Sequence, residues 1–501
     1  PPSMMATQPM VPAVARPVDT NDVACLVRWA KIHGRTLIPR GAGTGMPGGN
    51  VGRGVVLDLR RLDQVAEWEV DGAGSASVRV GSGVVAGDLD DWARGRGWFL
   101  PALPSSAPWC TLGGMAANNA AGARSFGYGS IRAWIDEVEV VLADGSVHRL
   151  RRDQALPPIL QDLHRAIPRP DRTWPRLRKN ASGYGLDRFL PDADPVALFA
   201  GSEGTLGVFT GLRLRLAPLP ALRGVALVPV EDRRRLAEVA TLAGELDAAA
   251  CEFLGRRFLE VSGLLEDPEL GPVLAGADAL ALVELDDRRG AVTAGLDRLR
   301  AWARSFGRSA LATTDPARAD ELWSVRHAAS PIIARKAEEG RVSMQFIEDS
   351  VVPPHHLPDY LERLEALLRD EETDAVMFGH AGDGNVHVNP LVEVGRPDWK
   401  DRVRRILGGT AELVASLGGT LSGEHGDGRI RAPYLERIWG REWTSAFQAT
   451  KDGLDPDGIL NPGVVLPLPG QDPLDGLSPE PRGRPAPREP QELRLPAGTT
   501  P

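Results

Sequence analysis

Cysteine is scarce in this chain and placed too sparsely to cross-link it. Cys25, Cys110 and Cys251 are the only three, far apart and without a C-x-x-C. That spacing excludes a disulfide framework and a self-contained iron–sulfur cluster, both of which need clustered thiols, and it fits a reducing compartment. Lysine is nearly absent as well: of 58 basic residues only five are Lys, at 31, 179, 336, 400 and 451, which reads as genome composition. A basic excess is missing. With a net charge of −9 and a pI near 5.6 the chain lacks the positive stripe of a nucleic-acid binder. No apolar run approaches the ~20 residues a membrane helix needs, and no signal peptide is visible. A soluble cytoplasmic protein is expected, with peripheral contact at the inner membrane left open. The chain opens Pro-Pro-Ser, as expected of a processed or trimmed start.

At 501 residues the chain is too long for one typical domain, and two or three are expected. Periodicity predicts a helix over 17–33, a strand over 36–39 running into a glycine loop at 41–49, strands at 55–59 and 76–80, a helix over 83–96 and a strand over 135–142. The pattern changes near Pro218-Leu219-Pro220. Strands at 225–230, 279–285, 343–346 and 375–378 then alternate with helices over 231–246 and 290–306. That rhythm suggests an antiparallel sheet with helices on one face. Further helices are expected at 397–417 and 433–450. From 466 onward the Pro-, Gly- and Arg-rich composition reads as a disordered tail.

Histidine is rare too, nine in all, yet three fall in two short glycine-framed segments. The first is Gly379-His380-Ala381-Gly382-Asp383-Gly384-Asn385-Val386-His387-Val388-Asn389; the second is Ser422-Gly423-Glu424-His425-Gly426-Asp427-Gly428. Two imidazoles and a carboxylate make the usual ligand set of a catalytic divalent metal, and a third imidazole remains for proton transfer. Any one of these histidines alone reads as a structural or surface residue.

Three glycine-rich segments precede them. Arg40-Gly41-Ala42-Gly43-Thr44-Gly45-Met46-Pro47-Gly48-Gly49 contains G-x-G-x-x-G, but it leads into a strand and not a helix, which contradicts a Rossmann dinucleotide site. Its backbone amides can still form an anion-binding nest, with a plain surface loop as the alternative. Pro104-Ser105-Ser106 with Thr111-Leu112-Gly113-Gly114-Met115-Ala116-Ala117-Asn118-Asn119-Ala120-Ala121-Gly122, and Gly201-Ser202-Glu203-Gly204-Thr205-Leu206-Gly207-Val208, let a flat body approach the backbone. One long planar cofactor touched at several points suits all three.

Together these segments resemble the FAD-dependent D-2-hydroxyacid dehydrogenases: D-lactate dehydrogenase, the glycolate oxidase flavin subunit and D-2-hydroxyglutarate dehydrogenase. These are flavoproteins of the vanillyl-alcohol oxidase type with a PCMH-type FAD-binding domain. The resemblance runs from about Arg16 to Leu466 and includes Leu454-Asp455-Pro456-Asp457-Gly458-Ile459-Leu460-Asn461-Pro462-Gly463. It implies an α+β chain: a two-subdomain FAD-binding domain at 1–217, a substrate or cap domain carrying the histidine hairpin at 218–417, a segment at 418–465 returning to the flavin, and the tail at 466–501. It implies that Arg40, Gly41, Ala42, Gly43, Thr44 and Gly45 bind the FAD pyrophosphate and that Pro104, Ser105, Gly114, Asn119 and Gly122 line the flavin. Glu203, Gly207 and Val208 would lie near the adenosine side and Asn461 near the ring. With no histidine at the phosphate loop, the FAD is expected to be noncovalent.

The same resemblance implies a divalent metal on His380, His387 and Glu424, zinc by ligand type with manganese or iron as alternatives. It makes His425 the base, Arg326 the grip on the substrate carboxylate and Asn389 its assistant. The expected reaction is oxidation of a D-2-hydroxy acid, D-lactate or D-2-hydroxyglutarate, to the 2-oxo acid, with hydride passing to flavin N5. Arg429 or Arg431 would hold a second carboxylate and favour a diacid, unless both are exposed helix-start residues. Phe346-Ile347-Glu348-Asp349-Ser350 departs from the lysine-bearing strand of several relatives, which puts one substrate contact in doubt. With Asp427 it is closer to the subgroup fused to an iron–sulfur module, for which this chain has no cysteines. The electron acceptor is therefore expected to be a quinone, a cytochrome or a separate iron–sulfur protein, and a homodimer is admitted. The competing readings are a flavin subunit that works only with such a partner and a metal-independent flavin oxidase of an alcohol or sugar.

Overall fold

A computed structural model describes residues 13–71, 74–327, 341–475 and 477. The first sheet is small and parallel. Val55–Asp58, buried along its length, lies between Ala13–Ala15 and Leu37–Arg40. Parallel neighbours cannot be joined by a tight turn. Helix Thr20–Ile32 makes the crossing between the outer strands, its start capped by the Asp19 carboxylate, which accepts the Asp22 N–H. The second sheet is antiparallel, in the order Val65–Val70, Ala76–Gly81, Val208–Pro218, Ile135–Val141, Val147–Arg151, with Trp98–Phe99 paired to the end of Val208–Pro218. These two sheets form the two parts of the expected FAD-binding domain. Val65–Val70 and Val208–Pro218 are strands that periodicity did not mark.

The third sheet follows the change of pattern at 218. Its order is Leu311–Thr313, Arg223–Val230, Ala279–Asp286, Ala250–Gly255, Asp374–His380, Asn385–Val392, Val342–Ser343, all antiparallel, with Ser350–Val351 also on Asn385–Val392. Alternate side chains of each strand enter different cores, as a pleated strand requires. Ala226 and Val228 pack with helices Leu236–Glu245, Val292–Arg304 and Leu357–Asp370. Val225 and Leu227 face the opposite way, where Phe258 of helix Arg256–Val261 and Leu322 of helix Pro316–His327 cover them. The expected helical face is present, and the second face is covered as well.

Helices Trp399–Ser416 and Leu435–Leu454 follow, the latter broken at Gly440. The chain then returns to the first sheet: Leu460 bridges to Leu37 and Asn461 N–H donates to the Leu37 carbonyl. Residues 466–475 correct the expectation of a tail. Leu466 and Leu474 are buried, the Gln471 amide donates to the Arg429 and Gly463 carbonyls, and Asp472 pairs with Arg404 at 2.6 Å. The remainder of that expectation, 478–501, lies outside the described residues. Among the described residues no helix is long and apolar enough to cross a membrane.

Candidate active site

The histidine hairpin works through strand register. Phe378 lies opposite His387, His380 opposite Asn385, and Val376 opposite Asn389. Directly opposed residues share a face, so His380, His387 and Asn389 all project to one side of the sheet. Gly384 makes the connection: its φ is +67°, and a Cβ there would sit 1.9 Å from the Val352 carbonyl oxygen.

The Glu-His turn is shaped by a buried acid. One oxygen of Asp349 accepts the backbone N–H groups of Gly423 (3.0 Å), Glu424 (3.1 Å) and His425 (2.9 Å) and the Ser422 hydroxyl (3.0 Å). Arg431 reaches the same oxygen at 3.2 Å and Glu348 at 2.6 Å. The segment that departs from the relatives thus scaffolds the site.

This architecture brings four functional candidates together. His380 Nε2 lies 3.1 Å from His387 Nε2, and both lie 3.4 Å from Glu424 Oε1. A tetrahedral ion bound at ~2.0–2.1 Å needs ligand atoms ~3.3–3.4 Å apart, so the spacing fits. The ring protons point elsewhere. His387 Nδ1 donates to the Glu348 carbonyl at 2.9 Å, and His380 Nδ1 contacts the Glu252 carboxylate. In their neutral forms both rings turn an Nε2 lone pair toward the same point as the Glu424 oxygen; burial opposes protonation of His380, but the Glu252 carboxylate outweighs it and raises that ring. Three lone pairs at this separation repel unless a cation or protons lie among them. Glu348, His387 and His425 form a second cluster of donor atoms, but Glu348 is already taken by Arg431 and the His387 Nδ1 proton by a carbonyl. The first set is the better cation site.

The surrounding charge agrees. Glu252, Glu348, Asp349 and Glu424 are buried with Lys179, Arg326 and Arg431 as counter-ions, while burial raises Asp383 toward its neutral form. The carboxylates outnumber those cations, which suits a further positive charge, a bound cation or an imidazolium. Burial opposes ionisation of Glu424, yet the Lys179 ammonium, 2.8 Å away, holds its carboxyl well below the usual range. Burial lowers His387. It would also lower His425, but the Glu348 and Asp349 carboxylates override it and push the ring up to about 9. His425 Nδ1 rests 2.8 Å from the Glu348 carboxylate, leaving Nε2 as the reactive nitrogen 3.5 Å from Glu424.

His425 also lines an open cleft with Arg40, Gly41, Ala42, Gly43, Thr44, Gly45, Gly114, Glu203 and Gly207. The glycine loop at 40–45 leaves backbone donors open to an anionic group. Among the described residues no hydrogen bond engages the backbone N–H groups of 42–45. Gly41 admits no side chain, since a Cβ would lie 2.1 Å from the Thr111 hydroxyl. The other expected FAD contacts are not among the residues that line this cleft. Asn119, at φ +48°, ends a helix and bonds Ser130 and the Asn180 carbonyl. A Cβ on Gly122 would meet the Leu103 carbonyl oxygen at 2.0 Å, Val208 is wholly buried, and Pro104 and Ser105 sit in a turn outside the cleft. Asn461 supports the loop from behind by donating to the Gly49 and Glu203 carbonyls.

Two expectations about substrate arginines are corrected. Arg431 is 1% exposed and spent on Glu348 and Asp349, while Arg429 donates to the Val51 and Pro462 carbonyls and to Asn461. Neither is an exposed helix-start residue and neither is open to a second carboxylate, so the argument for a diacid falls. Arg326 is mostly buried, donates from Nε to Glu252 at 2.8 Å and lies over the Phe378 ring at 4.5 Å. Asn389 is buried and bonded by Gln345 at 3.3 Å.

Glu203 supplies a test of the cleft wall. Its carboxylate accepts the N–H groups of Asp427 (2.7 Å) and Gly428 (3.1 Å), but burial and the nearby Asp427 charge push it up to about 8. A carboxyl raised in the native state holds a proton that the unfolded chain releases. Stability should therefore fall as pH rises from the ordinary carboxyl range to about 8, then level off. Glu203→Gln, neutral throughout, should remove about 2–4 kcal/mol of that decline. Urea unfolding of both proteins at pH 5 and pH 8.5 measures it; parallel slopes would refute the assignment.

A parallel-plus-antiparallel unit with a glycine loop, facing a histidine-bearing sheet, fits a flavin-dependent oxidoreductase. Two family models match the chain, the FAD binding domain over residues 11–151 and the C-terminal domain of FAD linked oxidases over 219–465, so it carries both domains of an FAD-linked oxidase. It is similar to the glycolate oxidase subunit GlcD of Bacillus subtilis, 29% identical over 92% of this chain and 90% of that one. It is similar to D-lactate dehydrogenase of Archaeoglobus fulgidus, 29% identical over 90% and 91%. Among solved structures, 4-ethylphenol oxidase from Gulosibacter chungangensis superposes with a TM-score of 0.64 at 18% identity, covering 91% of this chain and 89% of its own, a likeness of fold alone.

Proposed function

We propose that the protein oxidises a D-2-hydroxy acid to the 2-oxo acid, using noncovalent FAD and a divalent cation held by His380, His387 and Glu424. The observation that carries this reading is the convergence of two imidazole lone pairs and a carboxylate oxygen, 3.1–3.4 Å apart, beside a histidine on the wall of the FAD cleft. Bound FAD supplies the hydride acceptor, and a bound divalent ion, zinc or manganese, supplies Lewis acidity toward the hydroxyl and carboxylate oxygens. His425 Nε2 takes the hydroxyl proton while Glu348 holds Nδ1. Arg326, held at Nε by Glu252, grips the carboxylate, and Asn389 sits on the histidine face of the sheet. The alcohol carbon gives up a hydride and its oxygen a proton, leaving the 2-oxo acid.

Anaerobic mixing with a panel of D- and L-2-hydroxy acids, including D-lactate, glycolate and D-2-hydroxyglutarate, tests the proposal through loss of the oxidised flavin absorbance. One D-acid should bleach the flavin, prior chelation should abolish the bleaching, and Zn²⁺ or Mn²⁺ should restore it. Failure of every acid on a yellow, folded protein would refute the dehydrogenase reading. Bleaching indifferent to chelator, with peroxide formed in air, would favour a metal-independent oxidase.

A second reading is favoured by a specific observation. The relative from Bacillus subtilis is named as a subunit, and the three cysteines here, one exposed and two buried apart, hold no cluster. On that reading electrons leave through a separate iron–sulfur protein, and turnover with dyes but not with quinone alone would support it.

A further inference from the structure

Glu252 is wholly buried and touches two residues to which different tasks have been given. Its strand, Ala250–Gly255, pairs with Asp374–His380 so that Phe253 faces Gly379 and Leu254 faces Phe378. One step along, Glu252 falls beside His380 on the sheet face that carries the histidines. One carboxylate oxygen contacts His380 Nδ1, and the other accepts from Arg326 Nε at 2.8 Å. Each oxygen is thus committed to a different functional side chain, and residue 252 has no exposure through which water could replace either.

A carboxylate on the rear nitrogen of a metal-binding imidazole fixes the ring and makes its front nitrogen a better donor. The Arg326 guanidinium draws on the same anion and weakens that push. The two contacts therefore compete for one charge.

We infer that Glu252 is a positioning residue that couples cation binding at His380 to carboxylate binding at Arg326. When an anion engages Arg326, Glu252 is freed toward His380 and the cation is held more tightly; by linkage the cation tightens the anion by the same factor. This inference rests on the cation and Arg326 roles proposed above.

The test is Mn²⁺ binding to the substrate-free, FAD-loaded protein, followed through free Mn²⁺ in solution, in four forms: wild type, Glu252→Gln, Arg326→Gln and the double variant. Glu252→Gln should weaken Mn²⁺ about 10–100-fold. Arg326→Gln should change it in the opposite direction, tightening it, and most of that gain should vanish in the Glu252→Gln background. A Glu252→Gln protein that binds like wild type, or an Arg326→Gln gain that is equal in both backgrounds, overturns the coupling while leaving the cation site standing. A wild-type protein that takes up no Mn²⁺ overturns the cation reading itself and the coupling with it. If Glu252→Gln does not fold, the Arg326→Gln arm decides alone, since unchanged or weaker Mn²⁺ binding there contradicts the competition.

Discussion

A His425→Asn protein is expected to keep its FAD and its fold while flavin reduction by the hydroxy acid slows about 10²–10⁴-fold, the usual worth of a positioned general base. The geometry makes this loss specific. His425 reaches the cleft from a turn whose backbone is pinned by four donors to Asp349, so replacing the ring leaves the turn in place. The Asn118 side chain also holds the residue 425 carbonyl at 3.0 Å, a bond any side chain at 425 preserves. The neighbouring Glu348 raises the ring to about 9, which favours the protonated form at neutral pH, and a divalent ion beside Glu424 opposes that charge. Chelation and His425→Asn should therefore fail in different ways. The chelated wild type should recover on adding Zn²⁺ or Mn²⁺, and the variant should not, while its dissociation constant for the hydroxy acid stays within a few-fold. Rapid-mixing absorbance measures both rates. A variant reduced at the wild-type rate would remove His425 from the chemistry.

How far the sequence could be read depended on whether function lay in local pattern or in long-range packing. The hairpin histidines were legible because Gly-Asp-Gly forces a tight turn and strand pairing then places His380 and His387 on one face. The glycine loop was legible as a place where backbone comes close to other groups, and the structure puts it on the cleft that His425 lines. Glu252 was not. It lies in Ala248-Ala249-Ala250-Cys251-Glu252-Phe253-Leu254, where nothing alternates, because both faces of that strand are buried and the apolar run lacks a period. The small-residue run ending at Asn119 and Gly122 suits a flavin and suits close packing of the chain on itself, and pattern alone does not separate the two. Arg429 and Arg431 misled for a related reason, since spacing does not tell a buried arginine from an exposed one. The missed signal was the lysines. In a chain that uses arginine almost everywhere, the lysines at 179 and 451 are both enclosed, bonded to Glu424 and to Asp455 respectively.

Lys179 carries the largest expected effect on stability. Its ammonium, 1% exposed, lies 2.8 Å from Glu424 and 3.7 Å from Asp383, whose carboxylate oxygens have no hydrogen-bond partner among the described residues. A guanidinium is wider and planar, whereas the compact ammonium can serve two acids in one small space. Lys179→Met removes the cation and leaves two carboxylates buried without it, the costly half of breaking a buried pair. A loss of about 3–5 kcal/mol at pH 7.5 is expected by urea unfolding of the chelated protein. The loss should shrink toward pH 5, because burial already raises Asp383 and native carboxyls stripped of their counter-ion take up protons that the unfolded chain does not. Adding Glu424→Gln to Lys179→Met should restore part of the stability, since the nearer of the two charges that needed the lysine is then gone and only Asp383 is left without it. If the double variant is no more stable than Lys179→Met, the ammonium acts through packing and not through Glu424. Recovery in the double variant would identify Lys179 as the residue that lets a carboxylate wait, ionised and fully buried, for its cation.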